Sequence, residues 1–274
     1  MNPVLSIAQK ELKDGLRNRW IVAITLIFAL LAIGISWFGA AASGVIGFTS
    51  IPNTIISLAS LAVFLIPLIS LLLAYDAIVG EDEDGTLLLL LTYPLTKGQL
   101  LIGKLLGHAS ILGISTTIGF GAAAIIISIF ASNVDLVGLY KAFGLFIVSA
   151  TLLGVCFVAI AYIISGLVTE KSKAAGMALI SWFMFVLVFD LALLGILVAT
   201  EGKFNAELFP YLLLLNPTDV FRLINLVGFD AVGTGLITIA ADVNFSIYTL
   251  LLALVGWVLV PIGIAYGVFI KRKL

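Results

Sequence analysis

From Trp20 to about Ala42 the chain carries no charged side chain, and a helix of that length reaches about 34 Å, enough to cross the hydrocarbon core of a bilayer. Comparable runs follow at about Ile55–Val79, Leu100–Ala131, Lys141–Val168, Ala174–Thr200 and Phe245–Ile270. A chain so divided is read as an all-α membrane protein with six transmembrane helices. Composition agrees: 62% of the 274 residues are hydrophobic and 11% are charged, less than half the charged share of about 25% in soluble domains. A net charge of −1 offers no basic field for nucleic acid, so that class of partner is set aside.

The stretch least at home among these runs is Glu81 to Lys104, EDEDGTLLLLLTYPLTKGQLLIGK. Four consecutive carboxylates, Glu81, Asp82, Glu83 and Asp84, cannot lie in hydrocarbon. Gly85 and Thr86 then predict a turn, and Leu87 to Leu91 a short helix too brief to span. Pro94 ends it, lacking an N–H and clashing with the preceding turn, while Lys97 and Lys104 place positive charge where the next span begins. An ordinary solvated loop explains the charges but not the turn and the leucine helix.

This order resembles the cytosolic coupling segment of the type 2 ABC export permeases, in which a Glu, a Gly-Thr pair, a leucine-rich stretch, Pro-Leu, a basic residue and Gly-Lys recur. Here those places are held by Glu81, Gly85, Thr86, Pro94, Leu95, Lys97, Gly103 and Lys104. The resemblance implies that residues 80–99 dock on a separate ATPase subunit. Glu81, Asp82, Glu83, Asp84, Gly85, Thr86, Pro94 and Lys97 are the expected coupling residues.

The rest of the chain forms one permease domain over 1–274. Residues 1–19 place Leu5, Ala8, Leu12 and Leu16 at helical spacing with Lys10, Lys13, Asp14 and Arg17 between them, which predicts an amphipathic helix lying in the membrane interface, in contact with lipid. Small residues from Gly39 to Gly47 suit either close backbone approach or a flexible loop. Pro67 predicts a kink within the second span, and Asp76 near its end is expected to be met by water or Lys104. Residues 201–244 are broken in hydrophobicity. Asn216 and Pro217 there open a capped helix bearing Val220, Phe221, Ile224 and Val227 beside Asp219 and Arg222. We read the segment as short interfacial or re-entrant helices on the outer side. Phe221, Ile224 and Arg222 are its expected contacts with a periplasmic partner.

Charge sets the expected topology. Six spans put 11 of the 14 basic residues on one side, which the positive-inside tendency makes cytosolic, with both termini inside a bacterial inner membrane. A seventh span through Val220–Ala241 would move the cluster Lys271–Lys273 outside.

Chemistry of its own is scarce. There is no G-x-x-x-x-G-K-[ST] phosphate loop and no G-x-S-x-G elbow, so catalysis is not expected and any ATP site lies on another polypeptide. One cysteine, Cys156, and one histidine, His108, exclude an internal disulfide and an H-E-x-x-H zinc site. Met177 and Met184, seven residues apart, share a face of the fifth span, as packing or as soft-metal ligands. Asp190 falls at hydrocarbon depth in that span, where a charge must be paired or face water. A cavity role and a hydrogen-bonded structural role both remain open. No cofactor is expected.

Within the family, IAQKELKDGLRNRW, FGAAASG with FTSIP, LLLAYDAIVGEDEDGTLLLLLTYPL and LNPTDVFRLINL resemble the permeases that serve copper-site maturation of periplasmic nitrous oxide reductase. That resemblance implies a homodimer, two ATPase subunits below it and a periplasmic partner above. Spans so poor in thiols, thioethers and imidazoles suit mechanical coupling, or export of a small sulfur species, better than a copper ion path. The alternatives are an exporter of an unrelated substrate, a membrane anchor for an enzyme, and a secondary transporter. The last should show helices broken in matching halves, and Pro67 has no clear counterpart.

Overall fold

The computed structural model describes residues 2–38, 47–48, 50–131, 134–200, 209–228 and 245–272. Among the described residues six helices are long and apolar enough to span a membrane: Trp20–Phe38, Ile51–Glu83, Lys97–Phe130, Leu136–Leu167, Lys171–Ala199 and Ile247–Lys271. The chain order is α1 (Pro3–Arg17), α2 (Trp20–Phe38), α3 (Ile51–Ala74), α4 (Val79–Glu83), α5 (Thr86–Thr92), α6 (Lys97–Phe130), α7 (Leu136–Leu167), α8 (Lys171–Phe183), a π-turn (Met184–Val188), α9 (Phe189–Ala199), α10 (Phe209–Leu213), α11 (Pro217–Val227) and α12 (Ile247–Lys271). The small residues Gly39–Gly44, Lys203 and most of 201–244 outside α10 and α11 lie outside the described residues.

Several of these helices start where side chains can take up first-turn amides. Asn2, Ser50, Thr96, Asp135, Asn216 and Ser246 each accept a hydrogen bond from a backbone N–H at the head of a helix, and Thr96 forms a full capping box with Gln99. Arg19, at φ 59°, turns the chain from α1 into α2.

The centre of the bundle is α7. Of its most apolar window 67% is buried, against 11% for the fifth span, α8 to α9. An aromatic ladder crosses this centre. Phe28 of α2 stacks on Phe120 of α6 at 4.9 Å, Phe120 meets Phe146 of α7 edge-on at 4.8 Å, and Phe146 meets Phe221 of α11 at 5.7 Å. Such pairs add about 0.5–1.5 kcal/mol each beyond their burial.

Three features depart from the sequence expectation. First, α1 does more than lie in an interface. Leu5 and Leu16 point outward, but Ile7 and Gly15 are buried, because α1 rides on Gly103 and Gly107 of α6. A Cβ built on Gly107 would stand 2.4 Å from Glu11 Cβ, and one on Gly103 would stand 2.7 Å from Ile7 Cβ; this small-x-x-x-small spacing permits the close approach. Second, the sixth span also holds an interior proline, Pro261, and α3 and α12 both continue as helices through their prolines. Third, the fifth span contains a π-turn that no residue type announces.

Candidate functional site

One end of the bundle gathers the N-terminal helix, the acidic stretch, the start of α8 and the end of α12. Its local cause is Gly85, whose φ of 69° lies in the left-handed region that glycine adopts without steric cost. The turn folds α5 back under α4, and the Thr86 hydroxyl donates to the Glu81 carbonyl at 3.1 Å and to the Glu81 carboxylate.

All four carboxylates face other parts of the same chain. Glu81 accepts from Lys104 Nζ at 3.0 Å and from Lys10 Nζ at 3.2 Å. Asp82 accepts from Arg272. The Glu83 carboxylate accepts from the backbone N–H of Lys171 at 2.7 Å, and Asp84 from Lys171 Nζ at 3.0 and 3.1 Å. Lys104, whose side chain is 6% exposed, also reaches Glu11 at 2.8 Å. Asp76 lines a polar cavity of about 360 Å³ together with Glu11, Glu81, Lys104, His108 and Lys171; of the two partners expected for it, water or Lys104, the lysine bonds Glu11 and Glu81 instead. Burial raises the pKa of Glu11, but Lys104 outweighs that and holds its carboxyl below the ordinary value. His108 Nδ1 and the Tyr162 hydroxyl lie 2.6 Å apart deep in the bundle, so His108 is a packed residue joined to α7.

What turns outward is the leucine helix. Leu87 is buried, whereas Leu88, Leu89 and Tyr93 are 57%, 61% and 61% exposed. Pro94 follows in the open. Lys97 bends the other way, donating to the carbonyls of Phe269, Ile270 and Arg272 at 3.4, 3.2 and 2.9 Å and sitting 5.6 Å above the Phe269 ring. It thus caps the C-terminus of α12, where a helix concentrates negative partial charge.

At the opposite end, α10 and α11 form a hairpin sunk between α3, α7 and α12. Phe221 and Ile224 are fully buried, Phe221 against Phe146 and Ile224 in a cluster with Leu193, Phe209, Leu213, Leu250 and Leu254. The expectation that these two side chains meet a periplasmic partner therefore gives way to internal packing. Arg222 Nη1 lies 2.7 Å from Asp190 Oδ2 and 3.0 Å from Asp219 Oδ1, so Asp190 has a partner inside the chain, while its Oδ1 is buried with no hydrogen-bond partner among the described residues. Burial and the neighbouring Asp190 push the Asp219 carboxyl up, against the pull of Arg222. Asn216 Nδ2 donates to the Phe185 carbonyl of the π-turn at 2.9 Å, which ties the head of α11 to the fifth span. Met177 and Met184 are exposed on the fifth span, and Cys156 is buried.

Sequence reasoning missed Lys10, Lys171 and Arg272 as partners of the acidic stretch. No local spacing connects them, since the separations run from 71 to 190 positions between Glu81 or Asp82 and their far partners.

A family model for ABC-2 family transporter proteins matches residues 5–274. The chain is 60% identical over 274 residues to the probable ABC transporter permease protein NosY of Stutzerimonas stutzeri, covering 99% of each chain. It is 58% identical over 275 residues to the protein of the same description from Pseudomonas aeruginosa, covering 100% of each. With six spanning helices, a charged end built around residues 81–104 and this full-length match, the chain belongs to the ABC-2 family of transporter proteins.

Proposed function

We propose that this chain is the membrane permease of an ABC transporter in a bacterial inner membrane, with both termini cytosolic. It works as a homodimer with two copies of a separate cytosolic ATPase and with a periplasmic partner. Its resemblance to the NosY permeases points to copper-site maturation of nitrous oxide reductase, by transmitted motion or by export of a small sulfur or copper species. The fifth span, least covered within the chain, is the face offered to the second copy.

The observation that carries this reading is the division of labour in residues 81–97. The carboxylates are taken up by partners within the chain, on α1, α6, α8 and at Arg272, which leaves Leu88, Leu89 and Tyr93 as an apolar ridge on a charged end. An exposed apolar patch rimmed by polar groups marks an interaction site, with another protein or with the membrane, and at this charged end we assign it to the ATPase. Glu81, Asp82, Glu83 and Asp84 thus position the docking helix, and its leucines dock.

The test is capture of the ATPase from mild detergent. Leu88→Asp with Leu89→Asp is expected to abolish capture and stimulated ATP hydrolysis while the spans still insert. Undiminished capture by the double variant would move the docking site elsewhere.

A further inference from the structure

The acidic segment is not held as an extension of the helix that precedes it. Between α3 and α4 the chain turns at Tyr75–Ile78, and the first amides of α4 do not continue the α3 ladder alone. The N–H groups of Ile78 and Val79 both donate to Ser165 Oγ of α7 at 3.0 Å. One turn further on, Asp82 accepts from Arg272 Nη2. The other arm of Arg272, Nη1, donates to the carbonyls of Ser165, Gly166 and Val168 at 3.0, 3.0 and 2.8 Å. These include carbonyls that the end of α7 leaves without helical partners.

Arg272 stands just past the end of α12, and its own carbonyl is taken by Lys97. One guanidinium, its side chain 8% exposed, therefore joins α4, the end of α7 and the end of α12. Such a many-point grip needs the planar fork of arginine, which a lysine ammonium does not reproduce. The other ties of the acidic stretch lead elsewhere. Lys171–Asp84 is an exposed pair of the kind that contributes little, and Lys104 leads to α1 and α6.

The halves of α7 and α12 away from that end hold the hairpin, through residues near the middle of each helix. Trp257 Nε1 of α12 donates to the Leu214 carbonyl at 2.9 Å, and Leu250 and Leu254 pack with Leu213, Val220, Leu223 and Ile224. From α7, Ser149 Oγ accepts from Asn225 Nδ2 at 3.1 Å. α12 continues as a helix from Ile247 to Lys271 with Pro261 inside it, and its 25 residues span roughly 37 Å.

Resting on the reading of the chain as ATP-driven, we propose that Arg272 is the positioning residue that passes displacement of the docking segment to the α7–α12 pair, and through Trp257 to the α10–α11 hairpin on the other side. Asp82 is its receiving group, and α7 and α12 move together because one side chain grips both ends.

The experiment uses the full chain with its ATPase in lipid nanodiscs, with Cys156→Ala and an environment-sensitive fluorophore on Leu215→Cys of the hairpin, a site that is exposed. Trapping with ATP and vanadate is expected to shift the emission of the parent. Arg272→Gln is expected to suppress that shift several-fold while ATPase capture through Leu88 and Leu89 continues. Trp257→Phe, which keeps the ring and removes the Nε1 donor, should weaken it as well. Should Arg272→Gln not survive extraction, Arg272→Lys serves, and is likewise expected to lose most of the shift. A full shift in an Arg272 variant that captures ATPase would overturn the proposal and return the path to the covalent link through α3. If the parent itself captures no ATPase, the reading of the chain as ATP-driven falls first, and this inference with it.

Discussion

Lys104 Nζ lies 3.0 Å from Glu81 Oε1, although the two residues belong to different helices and the lysine side chain is almost wholly buried. The same ammonium takes Glu11 at 2.8 Å, so one cation inside α6 closes both the N-terminal helix and the docking segment onto the bundle. Removing one member of a buried ion set leaves the others uncompensated, which costs about 3–5 kcal/mol. Lys104→Met is therefore expected to lower the thermal midpoint sharply in detergent. Combining it with Glu11→Gln and Glu81→Gln should recover most of the loss, since the neutral set has no stranded charge. A triple variant as unstable as the single one would show that packing, rather than charge, holds this junction.

The same junction sets a pH dependence. The Glu11 carboxyl is held below its ordinary value in the folded chain. Its stabilisation is thus present above the ordinary carboxylate range and is lost as pH falls through that range and below. Thermal midpoints measured from neutral pH down past about 4 should fall, and the slope should be shallower in Glu11→Gln. Equal slopes in the two proteins would place the acid sensitivity at other groups.

Gly107→Ala tests the contact between α1 and α6. The added Cβ meets Glu11 Cβ at 2.4 Å and the Ala8 carbonyl oxygen at 3.2 Å, a clash with rigid atoms that overpacking precedents put at about 1–3 kcal/mol. We expect trypsin to cut more readily at Lys13 and Arg17 as α1 lifts. Gly121→Ala on the same helix meets nothing within 4 Å and is the control; it should leave the cleavage rate unchanged.

Phe221→Ala tests whether the hairpin is core. A fully buried phenylalanine truncated in place typically costs about 3–5 kcal/mol, and here the Phe146 contact at 5.7 Å goes with it. The loss should appear in the purified chain before any partner is added. A variant of normal stability that fails only with a periplasmic partner would restore the ring to a contact surface.

The sequence by itself determined where the helices long and apolar enough to cross a membrane lie. Hydrocarbon demands long apolar runs, and the six expected ones matched the six such helices among the described residues within a few positions. Short-range rules also sufficed for the Gly85–Thr86 turn, for the helix capped by Asn216 and for the end of α5 near Pro94, because a left-handed φ, a side-chain cap and a missing N–H each act within one turn.

Tertiary structure alone decided what the polar residues are for. The stripe of Val220, Phe221 and Ile224 reads as amphipathic in sequence, yet an apolar face records only that something covers it; whether that is another protein or the chain's own α3, α7 and α12 depends on packing. The acidic run likewise announced a water-facing end, but not that Glu81 belongs to Lys104 and Lys10, Asp82 to Arg272, and Asp84 to Lys171. Charge pairing acts across a few ångströms of space and is indifferent to chain separation, and so it leaves no periodic trace for a sequence to show.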